Sequence, residues 1–412
     1  MSNLRSKASR WGALVALGCL FATLGAATSS ASPYGDCDAE ATTKGPELCS
    51  FKRTAAIRVS DTAGLGRFEM HGKVGAVLQR DEGTVALLDL SDPARPKTLG
   101  AYEDGIEDSF DGDLAFSADG QWLFYARQTH QFSKDGIHVL NVSDPKAPTL
   151  AHYQPSGGAY RIAYHKDAGG EWVVLLDATH GLVVYRFEPT TGQLVPAFVD
   201  PLPALKVGGP ASAGLYLDRK DPKTKTPLLY VTTGRTGLQV YDFSDPMSPE
   251  VVGSWSEVGL AEVEVKATRR ARTVYAATEY WFDAAIEPEV VVLNASELED
   301  ISEVRRIDFT SGPPAPDGSD RVQGMDLDGA NLLIAHSGLG LIAATPEGVA
   351  EGVARLAGTR NEGAGVAGAP YAMDVEARRG YFYLTDAATG VLTVLRVPIR
   401  GLDLPYGRHP LG

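Results

Sequence analysis

The sequence predicts an all-β fold, a seven-bladed β-propeller, on three observations. In LQVYDFSDPMSPEVVGSW (238–255), an apolar strand-like run meets a Ser-Asp-Pro turn, a second proline and another short run. The same arrangement is present in VALLDLSDPARPKTLGAY (85–102) and IHVLNVSDPKAPTLAHY (137–153). The aspartates of the three turns are 52 and 101 residues apart, which corresponds to one and about two lengths of a regular repeat.

Each copy is predicted to be a strand, a tight turn and a second strand. Alternating Val, Ile, Leu and Tyr residues favour a pleated, half-buried strand. The aspartate side chain can accept hydrogen bonds from backbone N–H groups just after it, and proline removes a donor from the ladder. The first strand of the pair therefore has to end at the Ser-Asp-Pro turn.

Weaker copies of the same pattern extend the repeat along the chain. With them, the units are expected to begin near residues 68, 110, 158, 211, 260, 321 and 370. A full unit contains four strand-like segments, as at 214–218, 228–233, 238–244 and 250–255. Repeated sets of four short strands without helical periodicity are typical of a β-propeller. The units follow one another without linkers, so residues 55–400 are predicted to form one domain.

The seventh unit lacks its final strand, and the N-terminal segment AAIRVSD (55–61) is predicted to replace it. This pairing would close the ring and remove an open sheet edge, which is a site of aggregation. The alternative is an isolated N-terminal strand packed elsewhere. The Pro/Gly-rich tail at 401–412 is predicted to be a loose surface segment.

The segments VALLDLSDPARP, IHVLNVSDPKAP and LQVYDFSDPMSP resemble the third-strand motif of the LVIVD-repeat family. The resemblance covers about residues 55–400 and is specific in three units, because the weaker copies depart from the motif at the turn. It implies a bacterial or archaeal β-propeller that is secreted or displayed on the cell surface. It implies no reaction, because the family is not tied to a defined activity.

The first 31 residues read as a secretory signal peptide. Three basic residues precede an uncharged apolar stretch at 11–27, and the small residues Ser29, Ser30 and Ala31 form a cleavage site. We therefore expect a secreted, periplasmic or cell-surface protein. Cys19 follows Ala-Leu-Gly, so a lipoprotein anchored through Cys19 is one alternative, and an uncleaved membrane anchor is another.

Residues 32–54 are predicted to form an N-terminal segment with a disulfide between Cys37 and Cys49. An even pair of cysteines in an exported chain favours a disulfide, and two unpaired thiols are the alternative. No Cys-x-x-Cys motif and no zinc-type Cys/His spacing is present in the sequence, so thiol redox chemistry and structural zinc are not expected.

The charge of the chain restricts its partners. The formal net charge is −14, and removal of residues 1–31 takes away three basic and no acidic residues, which leaves −17. An acidic surface argues against nucleic acid and anionic membranes. We expect a monomer with an unknown protein, glycan or small-molecule partner at the envelope, no transmembrane segment after signal cleavage, and no cofactor.

Two sets of polar residues are predicted to meet at one mouth of the propeller channel, where a ligand would bind. The first set precedes or begins the first strands and consists of Asp113, Arg161, Glu262, Gln323 and Tyr371. The second set lies between second and third strands and consists of His130, Asp177, His180, Arg235, Trp281 and His336. Arg161 and Arg235 could hold a carboxylate or phosphate. The alternative is that these side chains only meet water and one another.

The sequence predicts no metal site. His130, His180 and His336 occupy equivalent loops, but the unit of His336 lies across the ring from the other two, too far to share an ion. Asp108, Asp111 and Asp113 in DSFDGDLAFSADG alternate like calcium ligands, but the EF-hand spacing is broken, and a solvated acidic loop is the expected structure.

Three functions remain after these exclusions. The sequence favours an exported propeller that acts as a binding module. The alternative is a propeller hydrolase or lactonase that uses His180, Asp177 or Glu262 as acid/base groups, although Gly-x-Ser-x-Gly, phosphate-loop and dinucleotide motifs are absent. A purely structural envelope protein is the third. Catalysis is left open, and no catalytic residue is assigned.

Overall fold

Antiparallel β-sheets make up the structure, which is a computed structural model. It describes residues 52–80, 82–105, 109–129, 134–202, 213–278, 289–308, 322–328, 331–337, 340–344 and 372–396. These residues lie in one compact unit, Asp36–Gly412. Within these ranges no helix is long and apolar enough to cross a membrane.

Consecutive strands along the chain form consecutive sheets, apart from the N-terminal strand β1 (Lys52–Arg58). The first complete sheet contains β2 (Leu65–His71), β3 (Val74–Gln79), β4 (Thr84–Asp89) and β5 (Lys97–Glu103). The second contains β6 (Ser109–Phe116), β7 (Trp122–Thr129), β8 (Gly136–Asn141) and β9 (Thr149–Pro155). The third contains β10 (Ala159–Lys166), β11 (Glu171–Asp177), β12 (Gly181–Glu188) and β13 (Gln193–Asp200).

The remaining sheets follow the same order. The fourth contains β14 (Ala213–Asp218), β15 (Leu228–Thr233), β16 (Gly237–Asp242) and β17 (Glu250–Trp255). The fifth contains β18 (Leu260–Ala267), β19 (Arg272–Thr278), β20 (Glu289–Asn294) and β21 (Ser302–Asp308). A three-stranded sheet contains β22 (Val322–Asp328), β23 (Asn331–His336) and β24 (Gly340–Ala344). The last contains β25 (Ala372–Arg378), β26 (Tyr381–Asp386) and β27 (Val391–Arg396), together with β1.

The sheets stand around a central axis, which confirms the predicted β-propeller. The first strand of each sheet contacts the first strand of the next, and β25 contacts β2. Second strands such as β7 and β15 are buried along their whole length, because both faces pack against neighbouring sheets. The outer strand β5 is largely exposed or half-buried, as expected for the rim of the ring.

The number of four-stranded blades differs from the prediction. The described residues contain six four-stranded blades rather than seven. The sheet of β22, β23 and β24 has three strands within them, and residues 345–371, which connect this sheet to β25, lie outside the described residues.

The N-terminal strand pairs with the end of the last sheet, as predicted. β1 is antiparallel to β27, from Lys52 opposite Arg396 to Arg58 opposite Val391. The strand ends three residues earlier than expected, because the Ser60 hydroxyl accepts hydrogen bonds from the backbone N–H groups of Thr62 and Ala63 and forms a turn there.

The Ser-Asp-Pro turns have the predicted hydrogen bonding. The Asp92 carboxylate accepts the backbone N–H of Ala94 at 3.0 Å, and Asp144 and Asp245 accept the equivalent N–H groups at the same distance. A second turn precedes this one. Asp89, three residues before Asp92, accepts the backbone N–H of Ser91 at 2.9 Å. The repeated sequence therefore encodes two consecutive side-chain-capped turns.

The predicted signal peptide (1–31), the Cys37–Cys49 pair and the tail at 401–412 all lie outside the described residues.

A candidate binding cavity in the central channel

A cavity of about 390 Å³ lies inside the ring of first strands, and every first strand contributes to its wall. Three arginines line it: Arg67, Arg161 and Arg378. Seven carboxyl groups line it as well: Glu69, Asp113, Glu262, Glu264, Asp326, Asp374 and Glu376. The lining therefore carries more acidic than basic groups.

Backbone bulges help to place these side chains. The pairing of β2 with β3 shifts register between Leu65 and Phe68, and the pairing of β18 with β19 shifts between Leu260 and Val263. A bulge inserts an extra residue and re-aims its side chain. Arg67 and Glu262, which lie in these two bulges, both reach the cavity.

One layer of the cavity is an ion-pair network, which we call the charged bridge: Arg67, Arg161, Glu262 and Asp374. Glu262 accepts a hydrogen bond from each arginine, although the three residues belong to three different first strands. Arg67 also lies 3.5 Å from the Asp374 carboxylate. The side chains of Arg67 and Arg161 are only 8% and 13% exposed, so the bridge neutralises charges that water barely reaches.

Aspartates on three first strands connect neighbouring strands. Asp113 accepts the N–H of Leu114 with one oxygen and the N–H of Ile162, on the next first strand, with the other, both at 2.9 Å. Asp374 bridges to Phe68 in the same way, and Asp326 bridges to Ala377. These carboxylates therefore hold adjacent blades together as well as lining the cavity.

The other layer consists of three glutamates, which we call the glutamate layer: Glu69, Glu264 and Glu376. Each follows a member of the charged bridge by two residues, so it lies on the same strand face. Burial raises the pKa of Glu69 to about 8, with a further contribution from the charge of Asp113. Burial also raises the pKa values of Glu264 and Glu376 well above their usual range. The charge of Glu69 raises the pKa of Glu376 further, and the charge of Asp326 raises both pKa values.

Glu376 carries an unsatisfied oxygen in this layer. Its Oε1 atom lies 3.7 Å from Nε of Arg378, whose side chain is half exposed. Its Oε2 atom is buried and has no hydrogen-bond donor among the described residues. A buried carboxylate oxygen without a hydrogen-bond donor is costly. Protonation of the carboxyl, or a donor on a bound molecule, would remove this cost.

Burial also raises the pKa values of three further carboxyl groups in the cavity wall: Asp113, Asp326 and Asp374. Burial raises the pKa of Asp374 to about 7, against the opposing charge of Arg67. Burial raises the pKa of Asp326 to about 6, against its backbone hydrogen bonds.

The structure brings together three of the residues predicted for the channel mouth: Asp113, Arg161 and Glu262. Gln323 is half-buried on β22 and does not line the cavity. Arg235 is exposed, and His336 is buried at the end of β23. The predicted residues His130, Trp281 and Tyr371 lie outside the described residues.

Asp177 and His180 lie away from the cavity and form a turn between β11 and β12. One Asp177 oxygen accepts the N–H groups of Thr179 and His180, both at 2.8 Å, and lies 2.9 Å from His180 Nδ1. Asp177 is fully buried while the His180 side chain is 55% exposed. The pair shapes its turn and does not converge with Glu262.

The acidic segment around Asp113 was expected to be a solvated loop, and that expectation is wrong. Residues Ser109–Phe116 form β6, with Asp113 directed at the next strand and the cavity. Strand alternation explains the spacing of its acidic residues better than cation ligation does. Across the parts of the chain that the structure describes, no group of three His, Cys, Asp or Glu side chains could hold a metal ion.

Sequence analysis missed most of the cavity lining, although a signal was present. Arg67-Phe68-Glu69, Glu262-Val263-Glu264 and Asp374-Val375-Glu376 share a pattern of charged residue, apolar residue and glutamate. The apolar residue of each is buried on the opposite face. Aligning first strands instead of third strands would have identified the layer.

Comparison with known proteins supports the fold. No protein-family model and no curated protein matches the chain. Among solved structures, the Cps50 (Swd1) β-propeller domain of "Myceliophteria thermophila" matches with a TM-score of 0.53 at 12% identity, over 84% of this chain and 99% of that one. Saccharomyces cerevisiae Sqt1 matches with a TM-score of 0.54 at 9% identity, over 86% and 100%. Kuenenia stuttgartiensis hydrazine synthase matches with a TM-score of 0.53 at 15% identity, over 83% and 97%. At these identities the likeness establishes the β-propeller fold alone.

Proposed function

We propose that the protein is an exported LVIVD-repeat β-propeller that binds a ligand or partner in its central cavity at the cell envelope. The observation that carries the proposal is the cavity itself, a space of about 390 Å³ bounded by charged side chains from several blades. Its volume is within the range of small-molecule sites, about 300–1,000 Å³. Propellers such as Swd1 and Sqt1 share the fold, and blades that meet around one axis suit an interaction module.

The same proposal includes a seventh blade. The sheet of β22, β23 and β24 occupies one position in the ring between the sheets that begin with β18 and β25. A fourth strand from the chain between β24 and β25 would give this sheet the four strands of its neighbours. It would also cover the edge of β24 that pairs with no other strand among the described residues.

The hydrolase alternative receives less support from the geometry. With His180, Asp177 or Glu262 as the acid/base groups, it places its chemistry at the channel mouth, but Asp177 and His180 do not line the cavity that contains Glu262. A general acid and base must both come within hydrogen-bond reach of the reacting atoms. Binding is therefore the function that the described residues support best.

A ligand screen tests the binding function. The mature chain is melted alone and with cationic, anionic and neutral compounds, and a ligand at 100 times its Kd stabilises the fold by about 2.7 kcal/mol. Stabilisation that is lost on Glu262→Gln, which dismantles the charged bridge, and kept on Glu188→Gln, at the exposed end of β12, would support binding in the cavity. Failure of every compound class would reject it.

The envelope location is tested separately by expressing the chain with its own N-terminus and measuring the mass of the mature protein in each cell fraction. A mature chain that begins at Ser32 would support free export, and a lipid-bearing Cys19 would support an anchored form. An intact Met1 terminus in the cytoplasm would contradict both.

A further inference from the structure

We propose that two neighbouring turns, which we call the basic turns, bind an acidic segment of a partner protein. They are residues 219–227 and 268–271, and each connects the first and second strands of its blade, the fourth and the fifth. Five exposed cations carry the site: Arg219, Lys220, Lys225, Arg269 and Arg270. None of them lines the central cavity, so the inference concerns a second surface and goes beyond the proposed function.

Contacts between the two blades hold the basic turns side by side. The first strands that lead into them, β14 and β18, contact each other in the ring. Asp221 in the longer turn pairs at 2.7 Å with Arg272, which directly follows the shorter turn, and both side chains are buried. Lys223 donates to the Ser296 carbonyl oxygen and to Glu297 in the fifth blade, at 2.6 and 2.7 Å. The exposed cations of the two blades therefore form one patch.

The backbone of the longer basic turn is preorganised. The turn contains nine residues, whereas two residues separate β2 from β3 and β25 from β26. One oxygen of the Asp221 side chain accepts the backbone N–H groups of Lys223 and Thr224, at 2.9 and 2.7 Å. The backbone N–H of Lys225 donates to the Asp221 carbonyl oxygen at 2.9 Å. A turn that is already fixed loses little conformational freedom when a partner binds, which favours affinity.

The five cations lack acidic partners. Among the described residues, none of them forms an ion pair with a carboxylate. Arg219 donates to the Tyr164 carbonyl oxygen and Lys225 donates to the Pro222 carbonyl oxygen, and neither contact supplies a negative charge. The mature chain has a formal charge of −17, so this patch has the opposite sign to the chain as a whole.

The nearby acidic groups do not neutralise the patch. Asp221 and Glu297 balance the charges of Arg272 and Lys223, with which they pair. Asp218, at the end of β14, is half-buried and accepts the backbone N–H of the next turn at 3.1 Å. It is the one remaining acidic side chain of the two turns and their ends, and it faces five cations.

The outer turns of the same blades determine how wide the partner can be. The turns between third and fourth strands lie at the same end of each blade, because the four strands are antiparallel. In these two blades they carry the exposed acidic residues Asp245, Glu250, Glu299 and Asp300. An anionic membrane or a nucleic-acid duplex would meet both sets of turns, so repulsion would oppose attraction. A single acidic segment along the basic turns meets the cations alone.

The number of cations distinguishes a peptide segment from a small anion. One carboxylate or phosphate group is matched by one guanidinium fork or by a few ammonium donors. Five cations on two turns therefore require several carboxylates that are linked to one another. A run of Asp and Glu residues in an extended chain provides them at regular spacing.

Fluorescence anisotropy tests the inference with the mature chain and a labelled peptide of alternating Asp and Glu residues. The same peptide with Asn and Gln in place of Asp and Glu is the uncharged control. We expect the acidic peptide to bind at least tenfold more tightly than the control. Raising the salt concentration from about 50 mM to about 300 mM should weaken binding at least tenfold, because salt screens exposed charges.

Two double variants locate the binding. Arg269→Gln with Arg270→Gln removes two cations from the shorter turn, and Lys220→Gln with Lys225→Gln removes two from the longer one. Each double variant is expected to weaken binding of the acidic peptide at least fivefold. A thermal melt of each variant without peptide confirms folding.

The matched control is Arg95→Gln with Lys97→Gln. These residues are exposed cations at the turn between β4 and β5 of the first blade, so the variant removes the same charge from a distant part of the ring. It should leave the affinity for the acidic peptide within twofold. A loss equal to that of the other double variants would show a general effect of net charge and would contradict a site on the basic turns.

Three other results would overturn the inference. The first is equal binding of the acidic and uncharged peptides, and the second is unchanged binding in both double variants. The third is tighter binding of polygalacturonate, or of vesicles that contain phosphatidylglycerol, because the partner would then be a glycan or a membrane. None of these results decides the cavity function, which the ligand screen tests through Glu262.

Discussion

Ionisation of Glu69 should make the stability of the propeller fall as the pH rises. Burial among first strands raises the pKa of this carboxyl from its usual 4.5 to about 8. Between these pH values the folded protein holds a proton that the unfolded chain has released, so the free energy of unfolding decreases with pH. Each tenfold change in proton affinity corresponds to about 1.4 kcal/mol, which gives a total of about 5 kcal/mol by pH 8.

The variant Glu69→Gln isolates this effect, because glutamine resembles the protonated carboxyl and does not ionise. The variant and the parent should have similar stability at pH 4.5. The variant should become more stable than the parent by about 3 kcal/mol at pH 7 and about 5 kcal/mol at pH 8.5. The variant also lacks the Glu69 charge that raises the pKa of Glu376, which should increase its stability relative to the parent further.

The assay is urea unfolding of both proteins at five pH values from 4.5 to 8.5. Comparing the two proteins cancels the opposite effect of His138, whose pKa is lowered to about 3 by burial and then by Arg127. Glu188→Gln, an exposed residue away from the cavity, controls for loss of a charge and should show a constant difference. If Glu69→Gln and the parent stay within about 0.5 kcal/mol over the whole range, the burial argument for the glutamate layer fails.

Three further predictions concern the ring. Gly64→Ala should destabilise the fold by about 3 kcal/mol, because its new Cβ would lie 1.7 Å from the carbonyl oxygen of Ala387 in the last blade; denaturant unfolding measures this. Arg127→Met should cost about 3–5 kcal/mol in the same assay, since it leaves Asp104, at 2.5 Å and only 1% exposed, without its guanidinium partner. Deletion of residues 32–58 should expose the edge of β27 and produce aggregation on size-exclusion chromatography.

Matched controls accompany these three. Gly169→Ala meets only the side chain of Asp167, at 3.2 Å, and should change stability by less than about 0.5 kcal/mol. Arg186→Met disrupts an exposed pair with Glu188 and should cost less than about 1 kcal/mol. A chain that begins at residue 32 retains β1 and should remain monodisperse. Equal effects in a variant and its control would contradict the proposed contacts.

The third and fourth strands of each blade were the most predictable part of the fold. Their turns depend on residues within a few positions of one another: Asp92 accepts an N–H two residues ahead, and proline stops the ladder locally. The alternation of apolar residues before the turn is equally local. Such features depend on local sequence and can be identified without knowledge of the fold.

The candidate site was predicted less well. Asp113, Arg161 and Glu262 were identified because polar residues in first strands should face the channel. His180 and Asp177 were placed with them by position in the repeat, but Asp177 instead binds the backbone of its own turn. The sequence contains no indication that the turn between β11 and β12 stays out of the cavity lining.

The sequence by itself determined the strand repeats, the Ser-Asp-Pro turns and the pairing of the N-terminal strand with the last sheet, because these follow from local hydrogen bonding and from the need to cover a sheet edge. The tertiary structure decided the chemistry of the cavity. Glu69, Glu264 and Glu376 lie far apart along the chain, and only the closed ring places all three in the wall of one cavity. Their raised pKa values arise from that shared burial, which no single strand can produce.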